Sequence, residues 1–351
     1  PAPRIDAMND VSVSRLLAGL NQEQLAAVTL PVQPALILAG AGSGKTRVLT
    51  TRIAWLMQTG QVSPGGVLAV TFTNKAAKEM LTRLGAMLPV AVRGMWIGTF
   101  HGLCNRFLRA HWKLAALPQS FQILDMQDSL SAIKRIIKAM QLDEERFVPK
   151  QVSWFIAGSK EDGLRPKDIE QRDEQTRKLT QIYQAYEDQC QREGVVDFAE
   201  LMLRTYELLR DNDPLREHYR RRFRHVLVDE FQDTSEAQVQ LLQSLTAGWE
   251  RGDGRTLFLV GDPMQSIYRF RNAEVGLFLD VRDRGLGDIE LEPLTLRVNF
   301  RSTQPIVQWI NQCFARVLPP HDDVLRGAVT YSASVAAPQA AAQGGVHVHA
   351  F

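Results

Sequence analysis

Seven consecutive residues, Gly40-Ala-Gly-Ser-Gly-Lys-Thr46, set three glycines ahead of a lysine and a threonine. Glycine lets successive backbone N–H groups turn toward one anionic ligand, the lysine adds a mobile cation, and the threonine hydroxyl suits a magnesium ion. These types can capture a nucleoside triphosphate by its phosphates, with Gly40, Ala41, Gly42, Ser43, Gly44, Lys45, Thr46 and the adjoining Arg47 as candidate contacts. A second cluster, Asp229-Glu-Phe-Gln-Asp233, supplies paired carboxylates. Asp229 would hold the magnesium ion through water, and Glu230 would orient or deprotonate an attacking water. Phosphoryl transfer needs chiefly such positioning and charge neutralisation. A third set mixes rings with polar groups: Phe72, Phe100, Tyr268 and Phe270 lie in or beside segments carrying Thr73, Asn74, Thr99, His101 and Arg271. Rings that stack on bases, flanked by groups that meet phosphates, can hold a single nucleic-acid strand without regard to its sequence, although each ring taken alone reads rather as a core residue.

These groups need a scaffold that gathers distant segments. The apolar run Ala35-Leu-Ile-Leu-Ala39 leads straight into the glycine loop, and a helical stretch follows from Arg47 to Thr59. Val67–Thr71 and Met95–Thr99 repeat this strand-then-helix pattern, and the apolar runs His225–Val228 and Thr256–Val260 both lead to acidic residues. The alternation predicts a parallel sheet covered by helices, with ligands at the carboxyl ends of its strands. Between His101 and Arg222 the period changes. Met126–Met140, Gln151–Gly158, Gln175–Arg192 and Phe198–Arg210 carry apolar residues at three- and four-residue steps, which predicts a helical block interrupting the α/β domain. From about Asp283 a third region is expected, with Leu291–Val298, a helix over Gln304–Val317, a linker-like Ala336–Gly345 and the short alternating Val346–Phe351.

The 351 residues are 45% hydrophobic and 23% charged, enough core for two or three globular domains. Cys104, Cys190 and Cys313 lie far apart without a ligand spacing, which argues against disulfides and structural zinc and for core thiols in a reducing compartment. No apolar stretch approaches the roughly 18 residues of a membrane span, and the first residues lack a cationic region leading into an apolar one, so a cytoplasmic chain without membrane contact is expected. A net charge of +2 gives no warrant by itself for a nucleic-acid partner. The basic run Arg220-Arg-Arg222 with Arg224 reads as a solvated helix end before a buried strand. His347 and His349 lack a third ligand and read as surface residues.

Taken in order, the motifs resemble those of the UvrD/Rep-type superfamily 1 DNA helicases, with the stretch Gly261–Thr303 closer to the RecB and AddA branch. Leu20-Asn-Gln-Glu-Gln24 resembles the family's adenine-reading element, Gly40–Thr46 its first motif and Asp229–Asp233 its second. Val70-Thr-Phe-Thr-Asn-Lys-Ala-Ala77 and Gly98-Thr-Phe-His101 resemble its two strand-contacting motifs. Gly261-Asp-Pro-Met-Gln-Ser-Ile-Tyr268 with Arg269-Phe-Arg271 resembles the third, and Leu296-Arg-Val-Asn-Phe-Arg-Ser-Thr303 the fourth. Val196-Asp-Phe-Ala-Glu-Leu-Met202 matches a family helix leading toward the second motif. Where Rep-type relatives usually carry tryptophan this chain has Phe270, a smaller stacking platform.

The resemblance, over roughly residues 16 to 310, implies ATP and Mg²⁺ as cofactors and single-stranded DNA as track, with protein partners in repair or recombination. It implies a RecA-like parallel-sheet P-loop motor domain over 1–91 and 208–283, an all-helical insertion over 92–207, and the incomplete start of a second RecA-like domain over 284–351. Gln24 would then contact the base, while Gln265 would sense the γ-phosphate and couple it to Tyr268. Arg301 would reach the same phosphate from the third region, making the ATP site an interface between two domains. The implied activity is a 3′-to-5′ translocase or helicase driven by ATP hydrolysis. The family's last motifs, including a second arginine for the γ-phosphate, find no match, so the sequence resembles an N-terminal portion with impaired hydrolysis expected. The alternatives are a module that binds ATP and single-stranded DNA and acts through a partner, and a P-loop enzyme acting on small molecules, which would leave the strand-gripping motifs unexplained.

Overall fold

The apolar runs form parallel strands because a sheet covered on both faces needs continuous rather than alternating hydrophobic residues. A computed structural model describes residues 12–92, 94–250, 252–267, 274–341 and 346. In it β1 (Ala35–Ala39), β2 (Val67–Thr71), β3 (Trp96–Thr99), β4 (His225–Val228), β5 (Thr256–Gly261) and β6 (Glu292–Leu296) make one six-stranded sheet, order β3-β2-β4-β5-β1-β6, with every pairing parallel. Every residue of β2, β4 and β5 is buried. The helices Lys45–Gln58 and Asn74–Met87 pack Val48, Ile53, Leu56, Met80 and Leu84 into a core shared with Ile37, Phe258 and Val260.

Strand order positions the site. The carboxyl ends of β4, β5 and β1 are neighbours, so the segments that follow them, Asp229–Asp233, Asp262–Gln265 and Gly40–Thr46, meet at one edge of the sheet. β2 and β3 lie on the far side of β4 and lead into Phe72–Asn74 and Phe100–His101.

Two expected boundaries shift. Trp96–Thr99, on the helical side of the boundary at 92, pairs with β2 and belongs to the sheet. Glu292–Leu296, expected to open a third region at 284, pairs residue for residue with β1 from Ala35 opposite Glu292 to Ala39 opposite Leu296. Leu294 and Leu296 reach the core around Ile37, while Pro293 is tolerated because β6 is an edge strand with no outer neighbour needing its N–H.

The chain divides into two units, Pro1–Thr99 with His218–Thr234 and Thr246–Phe351, and Phe100–Glu217 with Ser235–Leu245. Within the first, Arg52 is wholly buried. Its Nη1 donates to the carbonyls of Val28 (3.0 Å) and Leu30 (2.9 Å), and its guanidinium lies 4.9 Å from the Phe258 ring centroid. It thus closes the carbonyl end of the Gln22–Val28 helix, and burial lowers its pKa to about 10.

The second unit is almost wholly helical. Met126–Ala139, Pro149–Glu161 and Glu174–Glu193 enclose Ile133, Ile137, Val152, Ile156, Ile182 and Tyr183, Phe100–Ala110 packs on Phe198–Asp211, and a two-residue parallel pair joins Gln122–Ile123 to Val195–Val196. Beside this core runs an ion network invisible to periodicity. Lys160 Nζ lies 2.9 Å from Asp197 Oδ2 and 3.0 Å from Glu200 Oε2, and Arg165 and Arg204 pair with the same buried Glu200. Two of these partners, Asp197 and Glu200, fall in the segment Val196–Met202.

Candidate functional site

The glycine loop is held by backbone geometry and by its neighbours. Gly42 (φ +74°) and Gly44 (φ +86°) occupy the left-handed region. A Cβ on Gly42 would stand 2.6 Å from Asn299 Oδ1, and one on Gly44 2.9 Å from Gln24 Nε2, whereas a Cβ on Gly40 would meet nothing within 4 Å. Ser43 donates through its N–H (3.2 Å) and its hydroxyl (2.7 Å) to the Gly40 carbonyl. Lys45, at the start of the Lys45–Gln58 helix, donates from Nζ to the Ala39 carbonyl at 2.9 Å. Burial lowers its pKa, opposed by the carboxylates of Asp262, Asp229 and Glu230. Ala41 and Arg47 are exposed.

The carboxylates lie against this loop. The Thr46 hydroxyl donates to Asp229 Oδ2 at 3.1 Å, and the Asp229 N–H extends the β2–β4 ladder to the Val70 carbonyl at 2.8 Å. Glu230 follows with φ +56°, a left-handed conformation unusual for a non-glycine residue and typical of constrained functional positions. Burial raises the pKa of Asp229, Glu230 and Asp233, and for Glu230 the charges of Asp229 and Asp233 add to it. Among the described residues no group of three or more His, Cys, Asp or Glu could hold a metal ion. One hydroxyl and one carboxylate nevertheless fit magnesium, which keeps several waters and takes one or two protein ligands beside substrate phosphates.

Several of the other expected residues join this edge. Gln265 donates from Nε2 to Asp262 Oδ2, and the Asp262 N–H donates to Gln232 Oε1 at 3.0 Å, tying the segments after β4 and β5 together. Exposed Arg301 is reached through Asn299, whose Oδ1 accepts from the N–H groups of Arg301 (2.8 Å) and Ser302 (2.9 Å), while the Phe300 N–H donates to the Gly42 carbonyl at 3.0 Å. Gln24 is 1% exposed, and its amide is engaged within the protein: Nε2 donates to the Ser43 carbonyl at 2.8 Å and Oε1 accepts from the Asn21 N–H. The preceding Glu23 accepts from the N–H of Arg297 at 2.7 Å. The Gln22–Val28 helix therefore touches both the glycine loop and the segment leading to Arg301. Sequence reasoning gave no role to Glu23, Gln232, Asp262 or Asn299. Asp262 alone carried a signal, as an acidic residue directly after an apolar strand.

The expected strand-gripping residues divide. Thr73 and Asn74 are exposed after β2, with Thr73 capping the next helix by accepting from the Ala76 N–H, and Phe72 and Thr99 are half-buried. Phe100 is only 7% exposed, so its ring is not presented for stacking and serves the core. His101 instead stands edge-on to Phe198, centroids 6.1 Å apart, and Phe198 is 55% exposed at the start of its helix. The sequence pattern places Phe198 only as part of a helix and gives no sign of this exposed ring beside His101. Tyr268, Phe270 and Arg271 lie outside the described residues, as do His347 and His349.

The model for the UvrD/REP helicase N-terminal domain matches residues 20–284. The chain belongs to the UvrD/Rep helicase family. Among relatives of this UvrD/Rep chain, DNA helicase II of Escherichia coli is 48% identical over 303 residues, covering 86% of this chain and 41% of the relative. DNA helicase II of Haemophilus influenzae is 46% identical over 310 residues (87% and 41%), and ATP-dependent DNA helicase PcrA of Bacillus subtilis 37% over 308 (87% and 40%). The chain spans about two-fifths of the length of the curated relatives it matches. Among the described residues no helix is long and apolar enough to cross a membrane. Cys104 and Cys190 are buried free thiols, pushed by burial to about 12 and about 11.

Proposed function

We propose that this chain is the ATP-binding and strand-gripping part of a DNA motor, which couples ATP hydrolysis to 3′-to-5′ movement on single-stranded DNA as a helicase or translocase. The observation that carries the reading is the meeting of Lys45, Thr46, Asp229, Glu230 and Asp262 at the ends of three neighbouring strands, with Thr46 and Asp229 in hydrogen-bond contact at 3.1 Å. The names of the relatives, DNA helicase II and PcrA, support it.

In this reading the loop N–H groups from Gly40 to Thr46 cradle the phosphates, and Lys45 exchanges the Ala39 carbonyl for a phosphate oxygen. Thr46 and Asp229 hold magnesium, which when bound neutralises charge on the transferring phosphoryl group. Glu230, made more basic by burial and by its acidic neighbours, accepts a hydrogen bond from the attacking water and orients or deprotonates it. Gln265, held by Asp262, and Arg301, held through Asn299, meet the γ-phosphate. Gln24 fixes the loop from beneath, and to read the base its amide exchanges the Ser43 carbonyl and the Asn21 N–H for the adenine. Gln265 lies three residues before Tyr268, so a shift in the loop is passed to the strand-gripping side chains Tyr268, Phe270 and Arg271, and Phe72 to Asn74, Thr99 and His101 complete the track.

The sheet unit is the first motor domain, the larger part of the helical unit, Phe100–Glu217, is inserted between β3 and β4, and the segment beyond β6 begins the second motor domain. A cytoplasmic setting and protein partners in repair or recombination go with this function. The test is ATP hydrolysis with and without single-stranded DNA. Stimulation by DNA that is lost in Lys45→Ala supports a motor, whereas ATP-sensitive DNA binding without turnover would leave a binding module acting through a partner.

A further inference from the structure

At the opposite edge of the sheet from the glycine loop, where β2 and β4 begin, a pocket of about 580 Å³ is lined by Gly60, Ser63, Gly65, His218, Arg222 and Arg224 among others. We propose that this pocket is a second contact for the phosphate backbone of DNA, an inference that rests on the reading of the chain as a DNA motor.

Three side chains bring donors to it. His218 and Arg222 stand four residues apart on the Asp213–Arg222 helix and therefore share a face. Arg222 ends that helix and Arg224 follows it just before β4, on either side of the buried Phe223, and both line the pocket. The Arg222 guanidinium rests over the Trp96 ring at 5.4 Å and the Phe223 ring at 5.8 Å, which fixes its position while leaving its N–H groups to acceptors. Among the described residues the Arg224 side chain makes one donation, at 3.4 Å to the Gly254 carbonyl. Among the described residues neither arginine is in an ion pair. The facing wall is small and open: a Cβ on Gly60 or Gly65 would meet nothing within 4 Å.

Complementing a helix dipole explains basic residues in the last turn, Arg220 to Arg222, but not Arg224, which lies beyond the helix. The ligand is an oxyanion without its base. The rings nearest the pocket, Trp96 and Phe223, are 5% and 3% exposed and carry Arg222, so no ring face is offered to a nucleobase. A five-residue strand spans about 17 Å, which separates this contact from the nucleotide loop and from Phe72–Asn74. DNA held at both edges would be gripped over a longer path than the stacking residues cover.

The experiment measures binding of a labelled duplex with a single-stranded tail as a function of KCl concentration, for the unaltered chain, Arg224→Gln and Arg222→Gln/Arg224→Gln. Each lost phosphate contact lowers the slope of log affinity against log salt by about 0.7–0.9. The double variant should therefore lose about 1.5 of slope and about tenfold in affinity near 0.1 M KCl, Arg224→Gln about half that slope, and both should bind ATP as the unaltered chain does. Unchanged slope and affinity in both variants would overturn the proposal while leaving the motor reading intact. Failure of the unaltered chain to bind DNA would overturn both. Tripolyphosphate binding in a Lys45→Ala background that needs these arginines, with an unchanged DNA slope, would assign the pocket to free phosphates and overturn the DNA assignment.

Discussion

Of two glycines in the same loop, only one should be costly to replace with alanine. At Gly42 the substitution forces an L side chain into φ +74°, at a cost of about 1–2 kcal/mol. Its Cβ also falls 2.6 Å from Asn299 Oδ1 and 2.9 Å from Arg301 Cβ. Asn299 cannot withdraw without releasing the N–H groups of Arg301 and Ser302, two hydrogen bonds worth about 0.5–1.5 kcal/mol each. The sum is about 2–5 kcal/mol, and at roughly 2–4 °C per kcal/mol for a domain of this size the melting temperature should fall by about 4–20 °C. At Gly40 the backbone is not left-handed and the added Cβ meets nothing, so Gly40→Ala should stay within about 0.5 kcal/mol. Thermal or urea unfolding without nucleotide reads both, free of any effect on phosphate binding. Equal losses at the two positions, or none at Gly42, would refute the packing of the Asn299–Arg301 turn on the loop.

Three further outcomes follow from the packing. Phe198→Ala should weaken single-stranded DNA binding by about 1–3 kcal/mol in fluorescence anisotropy at unchanged melting temperature, whereas Phe100→Ala should cost about 3–5 kcal/mol of stability. Glu200→Gln leaves Lys160 and Arg165 without their shared carboxylate and should destabilise the helical unit by about 3–5 kcal/mol in urea unfolding. Burial, with Arg52 and Arg224 nearby, lowers the His225 pKa from 6.5 to about 4, so the folded state binds this proton less readily than the unfolded chain. The stability this confers is whole above pH 6.5 and is lost as pH falls toward 4, by about 3 kcal/mol, and His225→Asn should flatten that limb of a stability-against-pH curve.

Much of this architecture was legible where burial is complete. Ala35–Ala39, Val67–Thr71 and His225–Val228 are apolar in sequence except for Thr71 and His225 at their ends, and are strands with the same bounds in the structure, because parallel strands covered on both faces leave few polar positions. Glu292–Leu296 was harder to place: as an edge strand with a proline it has a mixed pattern, and nothing local says that it pairs with Ala35–Ala39 some 250 residues earlier. The glycine loop and Asp229 were readable because their chemistry needs contiguous residues. Asn299, Glu23 and Gln232 were not, since each works on backbone groups brought near only by the tertiary fold. Arg52 and Lys160 look like surface cations until the carbonyls and carboxylates that surround them are known. Phe100 erred the other way, as an aromatic in a binding motif whose ring is spent on the core.

The proposed function requires Lys45, Thr46 and Asp229 to form one magnesium–nucleotide site. Its most direct test is ATP affinity by calorimetry with and without Mg²⁺, in the unaltered chain, Lys45→Ala and Asp229→Asn. The prediction is that Mg²⁺ tightens ATP binding in the unaltered chain, that Asp229→Asn loses most of this magnesium effect, and that Lys45→Ala weakens binding under both conditions. ATP affinity indifferent to Mg²⁺ and to both substitutions would contradict it.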